Sequence, residues 1–168
     1  MHQKLSFNRS AAIINSNSKK MNVSARDFFS PEEQDDIKQA IMNAELDTSG
    51  EIRVHIESIC KGDVLDRAAY IFKKLGMSKT EQRNGVLIYL AVRNRKFAII
   101  GDKGIHQAVP NDFWDNIKSR MLDFFRDGKF CDGLIYAITE SGDHLKKYFP
   151  YKKDDINELP DDISFGNK

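Results

Sequence analysis

The sequence predicts an α/β protein in which helices cover both faces of a central mixed sheet. This prediction depends on two apolar runs, residues 85–92 and 97–100, that are separated by only four polar residues. Continuous apolar runs rich in β-branched and aromatic residues are typical of strands buried on both faces. Asn94 and Arg95 suit the turn between them, because Asn tolerates a positive φ. We therefore expect a central antiparallel hairpin.

The segments before the hairpin predict a parallel crossover. A capping pattern at residues 30–33 begins a helix that ends near residues 47–50. Residues 51–58 alternate apolar and polar side chains, which predicts a strand with one buried face and one wetter face, near a sheet edge. A second helix follows between Asp63 and Gly76. Strand–helix–strand units are almost always right-handed, so the first two strands should be parallel.

The segments after the hairpin predict further helices. A short helical turn is expected near residues 105–109, a longer helix between about 112 and 127, and a last helix from Phe130 to Pro150. Helices on both sides of the hairpin predict a three-layer α/β/α sandwich with about four strands. The fourth strand is not assigned, and the segment before Ser30 is one source for it.

Composition limits the class of protein. The chain has 168 residues, 30% of them charged, and a net charge of +1, so it lacks the positive surplus that a nucleic-acid binder needs. No apolar run approaches the roughly 20 residues of a membrane span. The two cysteines lie far apart, which is typical of a reducing compartment. We expect a cytoplasmic monomer that does not insert into membranes.

The chain divides into three predicted regions. Residues 1–27 are expected to be a disordered extension, because they are polar and irregular, and Met21 is our hypothesis for the natural first residue. Residues 28–150 form the predicted domain. Residues 151–168 form an acidic tail, expected to be mobile or laid along the surface.

The predicted topology brings distant polar residues to two edges of the sheet. Residues 83–85 and 101–104 should be neighbours at one edge, with residues 47–49 close by. Residues 58–63 and 93–96 should meet at the opposite edge. Ligands of open sheets usually bind beyond the carboxyl ends of parallel strands, which favours this second edge. The first edge carries more carboxylates, so both edges remain candidates.

Residues 84–91, a charged turn and residues 97–104 resemble the TPM domain. This fold is shared by thylakoid-lumen acid-phosphatase-like proteins, photosystem II repair proteins and an acetylcholine-receptor modulator. Asn84-Gly85 matches the family's Asp-Asn-Gly element, Gly101 and Gly104 match its glycine pair, and the pattern at residues 130–133 matches the opening of its last helix. The resemblance implies a Rossmann-like α/β/α sandwich, weak phosphatase activity in some members, and divalent-metal binding near the Asp-Asn-Gly edge.

One residue departs from the family pattern. Arg83 stands where the family commonly has the acidic residue, so a cation replaces a metal ligand. A guanidinium at this place could instead neutralise a phosphate. The sequence predicts Asp102 and Arg83 as catalytic residues, Asp47 and Asp102 as ligands for Ca²⁺ or Mg²⁺, and a ligand-binding set formed by Asn84, Gly85, Gly101, Lys103 and Gly104. The plainer interpretation of the 101–104 segment is a turn that leaves the strand.

Two functions remain open from the sequence. The first is a partner-binding or regulatory module with weak or no catalytic activity. It binds either through Arg93, Arg95 and Lys96 or through the acidic tail, with a membrane-anchored relative as one expected partner. The alternative is a weak, metal-dependent phosphatase acting on phosphate esters. The absence of an evident nucleophile–base pair in the sequence favours the first.

Overall fold

The computed structural model describes residues 8–15, 19–153 and 156–166, and its centre is a five-stranded sheet. The strands are β1 Asn8–Ile13, β2 Glu51–Glu57, β3 Gly85–Ala91, β4 Lys96–Gly101 and β5 Ser164–Phe165. The helices are α1 Ala25–Phe28, α2 Pro31–Glu45, α3 Val64–Lys74, α4 Lys103–Ala108, α5 Asp115–Arg126 and α6 Phe130–Tyr148. Single 3₁₀ turns form at Lys19–Asn22 and Met77–Lys79.

The strand order is β1-β4-β3-β2-β5, and the sheet is mixed. The hairpin β3–β4 is antiparallel and β2 runs parallel to β3, as the sequence predicts. β1 pairs antiparallel with β4, and β5 pairs parallel with β2. The hairpin therefore lies inside the sheet, and all seven residues of β3 are buried.

Helices cover both faces, which confirms the three-layer α/β/α sandwich. On the first face, residues from α2, α5 and α6 pack on apolar side chains of β2, β3 and β4. On the second face, Ala68, Ile71 and Phe72 of α3 pack on Leu87, Tyr89, Ala98 and Ile100. The layers are unequal, because among the described helices α3 alone supplies the second layer.

The expectation of a wetter face on β2 is wrong, because all seven of its residues are buried. Three of the four polar side chains on this face have partners from other elements, whereas Arg53 Nε has no hydrogen-bond partner among the described residues. Glu57 accepts two hydrogen bonds from Arg67 of α3, at 2.9 and 2.6 Å, and His55 Nδ1 lies 2.9 Å from Ser164 Oγ of β5. The alternation of apolar and polar residues predicts an exposed polar face, but α3 and the tail cover these side chains.

Part of the extension that was predicted to be disordered is a strand. β1 pairs with the full length of β4, so that β4 is not a free edge. Ile14 is 1% exposed and Met21 is fully buried, which anchors this segment to the first-face core. Residues 1–7 and 16–18 of the predicted extension lie outside the described residues.

The described part of the acidic tail lies against β2. Leu159 is buried, and the Glu51 carboxylate accepts hydrogen bonds from the backbone N–H groups of Glu158 and Leu159. Burial raises the pKa of Glu51 to about 7 despite these hydrogen bonds. Residues 154–155 and 167–168 lie outside the described part. The tail was expected either to be mobile or to lie along the surface, and its described part lies along the domain.

No α-helix in the described ranges is both long and apolar enough to cross a membrane.

A chain that begins at Met21 should be less stable than the full chain. It lacks β1 and Ile14, and burial of one Ile side chain alone contributes about 1.5–3 kcal/mol. We expect the free energy of unfolding to fall by at least about 2 kcal/mol, measured by urea denaturation. A chain that begins at Asn8 is the control and should keep the full stability. Equal midpoints for the Met21 chain and the full chain would show that β1 contributes nothing.

Candidate functional site

Arg83 and Asp102 meet at the edge where β3 begins and β4 ends. Arg83 Nε lies 2.8 Å from Asp102 Oδ2, and Arg83 Nη2 lies 3.0 Å from Asp102 Oδ1. The Asp102 side chain is 1% exposed, whereas that of Arg83 is 43% exposed. The hydrogen bond to Asp102 raises the pKa of Arg83. The two residues predicted to be catalytic therefore form a bidentate ion pair with each other.

The Asp102 carboxylate has a further partner inside the fold. Its Oδ1 accepts a hydrogen bond of 2.7 Å from the backbone N–H of Lys103, at the start of α4. The Asp102 N–H in turn donates to Gly85 O at 2.9 Å. Both carboxylate oxygens are thus used to join the ends of the hairpin to α4. Asp102 has the contacts of a structural counter-ion.

The predicted glycine pair is explained by close packing. A Cβ atom on Gly104 would lie 2.2 Å from Gln82 O and 2.6 Å from Arg83 O. A Cβ on Gly101 would lie 2.9 Å from Ile105 Cγ2. The Gly104 N–H donates to Arg83 O at 2.8 Å, so the segment is held against the turn before β3. These contacts account for the glycines without a bound phosphate, and the Lys103 side chain is exposed.

Asn84 is almost fully buried beside Ser49. Its Nδ2 donates to Ser49 Oγ at 3.3 Å, and its backbone carbonyl accepts from the N–H of Glu51 at 3.4 Å. The neighbourhood of residues 47–49 and 83–85 is therefore as expected. Asn84 Oδ1 has no hydrogen-bond partner within the described part of the chain. Asn84 mainly holds β2 and β3 in register at this edge.

Asp47 follows α2 and is exposed. Its backbone carbonyl oxygen accepts a hydrogen bond of 3.1 Å from Tyr151 N. The described residues include no group of three or more His, Cys, Asp or Glu side chains placed to hold a metal ion. Ca²⁺ and Mg²⁺ need several free oxygen ligands, and the Asp102 oxygens face a guanidinium. The residues at this edge do not fit a divalent cation.

The opposite edge carries the basic turn of the hairpin. Arg93 is exposed, and Arg95 and Lys96 are half-buried. The turn is fixed to the end of β2, because Arg93 N donates to Ser58 O at 2.9 Å and Cys60 N donates to Asn94 Oδ1 at 2.6 Å. Arg95 has a φ of 53°, so the left-handed position of the turn is at Arg95. The structure therefore presents these three cations on a fixed turn.

A cavity of about 580 Å³ opens beside this turn. Its wall includes Glu57, Lys61, Arg67, Arg93 and Gly166, at the carboxyl ends of β2, β3 and β5. No local pattern in the sequence marks Glu57, Arg67 or Gly166 as site residues. The rule that places ligands beyond the carboxyl ends of parallel strands pointed to this edge, but not to these side chains.

Glu57 lies at the centre of a buried polar network beside the cavity. Besides Arg67, it accepts a hydrogen bond of 2.6 Å from Tyr89 Oη, and His55 Nε2 lies 3.4 Å from Glu57 Oε2. Burial alone would raise the pKa of Glu57, but the hydrogen bonds from Arg67 and Tyr89 outweigh burial and lower it to about 2. Burial lowers the pKa of His55. Glu57 is thus an anion that holds Arg67 in place.

Substitution of Gly104 by Ala should destabilise the fold, because the new methyl group would collide with the backbone carbonyls of Gln82 and Arg83. Overpacking of this kind costs about 1–3 kcal/mol in unfolding free energy. Lys103→Ala is the matched control, because Lys103 directly precedes Gly104 and its side chain is exposed. This substitution should change the free energy of unfolding by less than about 0.5 kcal/mol. Urea denaturation of both variants tests this, and equal stabilities would contradict the packing role of Gly104.

Comparison with known proteins gives two kinds of match. The family model described as the TPM domain matches residues 23–144. A search of curated proteins finds no match. Among solved structures, the chain is similar to the BA42 protein of the psychrophilic bacterium Bizionia argentinensis, with 50% sequence identity and a TM-score of 0.79, over 83% of this chain and 96% of that one.

The chain is also similar to the N-terminal domain of a protein from P. gingivalis, with 19% identity and a TM-score of 0.60, over 72% of this chain and 78% of that one. At this identity the likeness shows the fold alone. The resemblance inferred from the hairpin and its glycines is confirmed by the family match, which covers most of the chain. The chain belongs to the TPM domain family.

Proposed function

We propose that this TPM domain is a binding module that recognises an acidic segment of a protein partner through its basic turn, Arg93, Arg95 and Lys96, and that it is not a phosphatase acting through Asp102. The observation that carries the proposal is the bidentate ion pair between Arg83 and Asp102. A carboxylate that is only 1% exposed and whose two oxygens both accept hydrogen bonds inside the fold is closed to a metal ion and to an attacking water.

The basic turn supports the binding half of the proposal. None of its three side chains forms an ion pair with another described residue. The turn is held by hydrogen bonds to the end of β2, so binding would require little ordering of the backbone. Fixed, unpaired cations at one end of a sheet are complementary to a row of carboxylates.

One hydroxyl–imidazole pair in the described residues could suggest catalysis instead. Ser164 Oγ lies 2.9 Å from His55 Nδ1. The two residues are cross-strand neighbours in β5 and β2, and His55 is only 3% exposed. A substrate has no access to an imidazole covered in this way. The hydrogen bond between Ser164 and His55 is therefore better explained as a contact that joins β5 to β2 than as part of a hydrolytic site.

Binding of a glutamate heptapeptide, followed by amide chemical shifts at low salt, tests the proposal. We expect saturable shifts confined to residues 92–97, weakened by added salt because the contacts are exposed charges. The double variant Arg93→Gln/Lys96→Gln should bind about threefold to thirtyfold more weakly, since each of the two lost ion contacts contributes about 0.3–1 kcal/mol. Lys129→Gln, an exposed lysine at the start of α6, is the control and should bind normally.

Two outcomes would contradict the proposal. One is equal peptide binding by the double variant and the full chain. The other is turnover of p-nitrophenyl phosphate that Asp102→Asn abolishes while the variant remains folded, because that result would give the carboxylate a chemical role.

A further inference from the structure

The outer edge of β1 is an open strand edge within the described part of the chain. β1 is the outermost strand on its side of the sheet and pairs with β4 alone. Ile14 N donates to Arg95 O, and hydrogen bonds alternate from one side of a strand to the other, so the backbone groups of Ala11 and Ile13 point away from β4. No described residue forms a hydrogen bond to these groups.

The opposite edge of the sheet is covered. On the outer side of β2, the N–H of Ile52 donates to Glu45 Oε2 at 2.8 Å. Further along β2, Gly166 N donates to Ile56 O at 2.9 Å. A new strand could add at this edge only by displacing the Glu45 side chain and the tail. At the β1 edge, a strand can add without displacing any described residue.

β1 also lacks the features that usually block strand addition. Its six residues pair with β4 in unbroken register, so no bulge twists the edge away. Its sequence contains no proline, and its one charged residue, Arg9, lies at the end remote from the basic turn. Unblocked edges of this kind pair readily with a further extended segment.

This open edge ends beside the basic turn. Ile13 is the register partner of Lys96, so their side chains lie on the same face of the sheet. Ile13 is 71% exposed, although it is apolar. A strand added to β1 would lie about 10 Å from β4, which is two strand spacings, and a lysine and a glutamate side chain together bridge this gap. The edge therefore offers backbone groups, an apolar side chain and cations next to one another.

We propose that the acidic segment of the partner binds as an extended strand along the outer edge of β1, with apolar side chains against Ala11 and Ile13 and carboxylates beside the basic turn. This inference rests on the proposed function and adds the conformation and the residue pattern of the partner. The backbone groups of β1 select an extended chain, Ile13 selects an apolar residue, and the turn selects carboxylates. An acidic peptide that does not form a strand would contact the turn only.

The test is an amide-shift titration of the full chain with three peptides. They are the glutamate heptapeptide, a strand peptide of sequence acetyl-Glu-Glu-Val-Thr-Val-Thr-Val-Glu-Glu-amide, and the strand peptide with N-methyl groups on its five central residues. We expect the strand peptide to shift the amides of Ala11, Ile13 and residues 95–97 and to slow hydrogen exchange at Ala11 and Ile13. N-methylation removes the strand hydrogen bonds and keeps every charge, so it should weaken binding at least about tenfold. Equal binding of the two strand peptides would overturn the proposal.

Ile13→Ser tests the apolar contact at an exposed position. It should weaken binding of the strand peptide about threefold to tenfold and leave the glutamate heptapeptide unchanged. Ile156→Ser is the matched control, because Ile156 is 80% exposed and belongs to the tail, and it should leave both peptides unchanged. Urea denaturation checks that each variant is folded. Strand-peptide binding at full strength in Ile13→Ser would overturn the proposal.

Two other occupants of the edge would each overturn the proposal. Shifts at Ala11 and Ile13 that grow with protein concentration, in the absence of peptide, would show that a second copy of the chain pairs there. Slow exchange of these amides in the free full chain, lost in a chain that begins at Asn8, would show that residues 1–7 cover the edge.

The proposed function and this inference fail in different ways. If the glutamate heptapeptide and the strand peptide both shift residues 92–97 only, and N-methylation changes nothing, the turn binds acidic peptides without β1, which overturns the inference alone. If the strand peptide binds at Ala11 and Ile13 equally well in the double variant Arg93→Gln/Lys96→Gln, the turn does not recognise carboxylates. That result would contradict the proposed function and the acidic pattern inferred for the partner.

Discussion

The buried carboxylate of Asp102 is the constraint on which this end of the molecule depends. An ionised carboxylate removed from water costs several kcal/mol unless a cation and hydrogen-bond donors replace the lost hydration. Arg83 and the N–H of Lys103 supply them. Arg83 has a φ of 51° in the turn before β3, and Gly104 allows α4 to approach that turn closely. The ends of the central hairpin are thus held by this ion pair together with the backbone hydrogen bonds of Asp102 and Gly104.

The two ends of the sheet differ in whether their charged side chains have ion-pair partners. At the end where β3 begins, the cation and the carboxylate neutralise each other inside the fold. At the opposite end, Arg67 neutralises Glu57, but Lys61 and Arg93 face a cavity without partners among the described residues. The charged side chains are therefore paired at the first end, whereas part of the positive charge at the second end has no ion-pair partner among the described residues.

Much of the fold was predictable because its signals are local. The capping box of Ser30 and Glu33 and the cap at Asp63 both form, and the continuous apolar runs form the buried hairpin. The segment before Ser30 is one expected source of a further strand, but its polar, irregular sequence does not locate β1, which forms because β4 supplies a pairing edge. The buried face of β2 was misjudged because the partner of Glu57, Arg67, comes from the next helix. The cavity depends on residues far apart in sequence, and no local pattern reveals it.

The most direct test of this account is a double-mutant cycle of Arg83→Gln and Asp102→Asn, with the free energy of unfolding measured by urea denaturation. Because the two side chains bond each other inside the fold, we expect a coupling free energy of about 1–3 kcal/mol between the two substitutions. Lys103→Ala combined with Asp102→Asn is the matched cycle, and it should be additive, because Asp102 contacts only the backbone of Lys103. Additive effects of Arg83→Gln and Asp102→Asn would contradict the account, since Asp102 would then be free for another role.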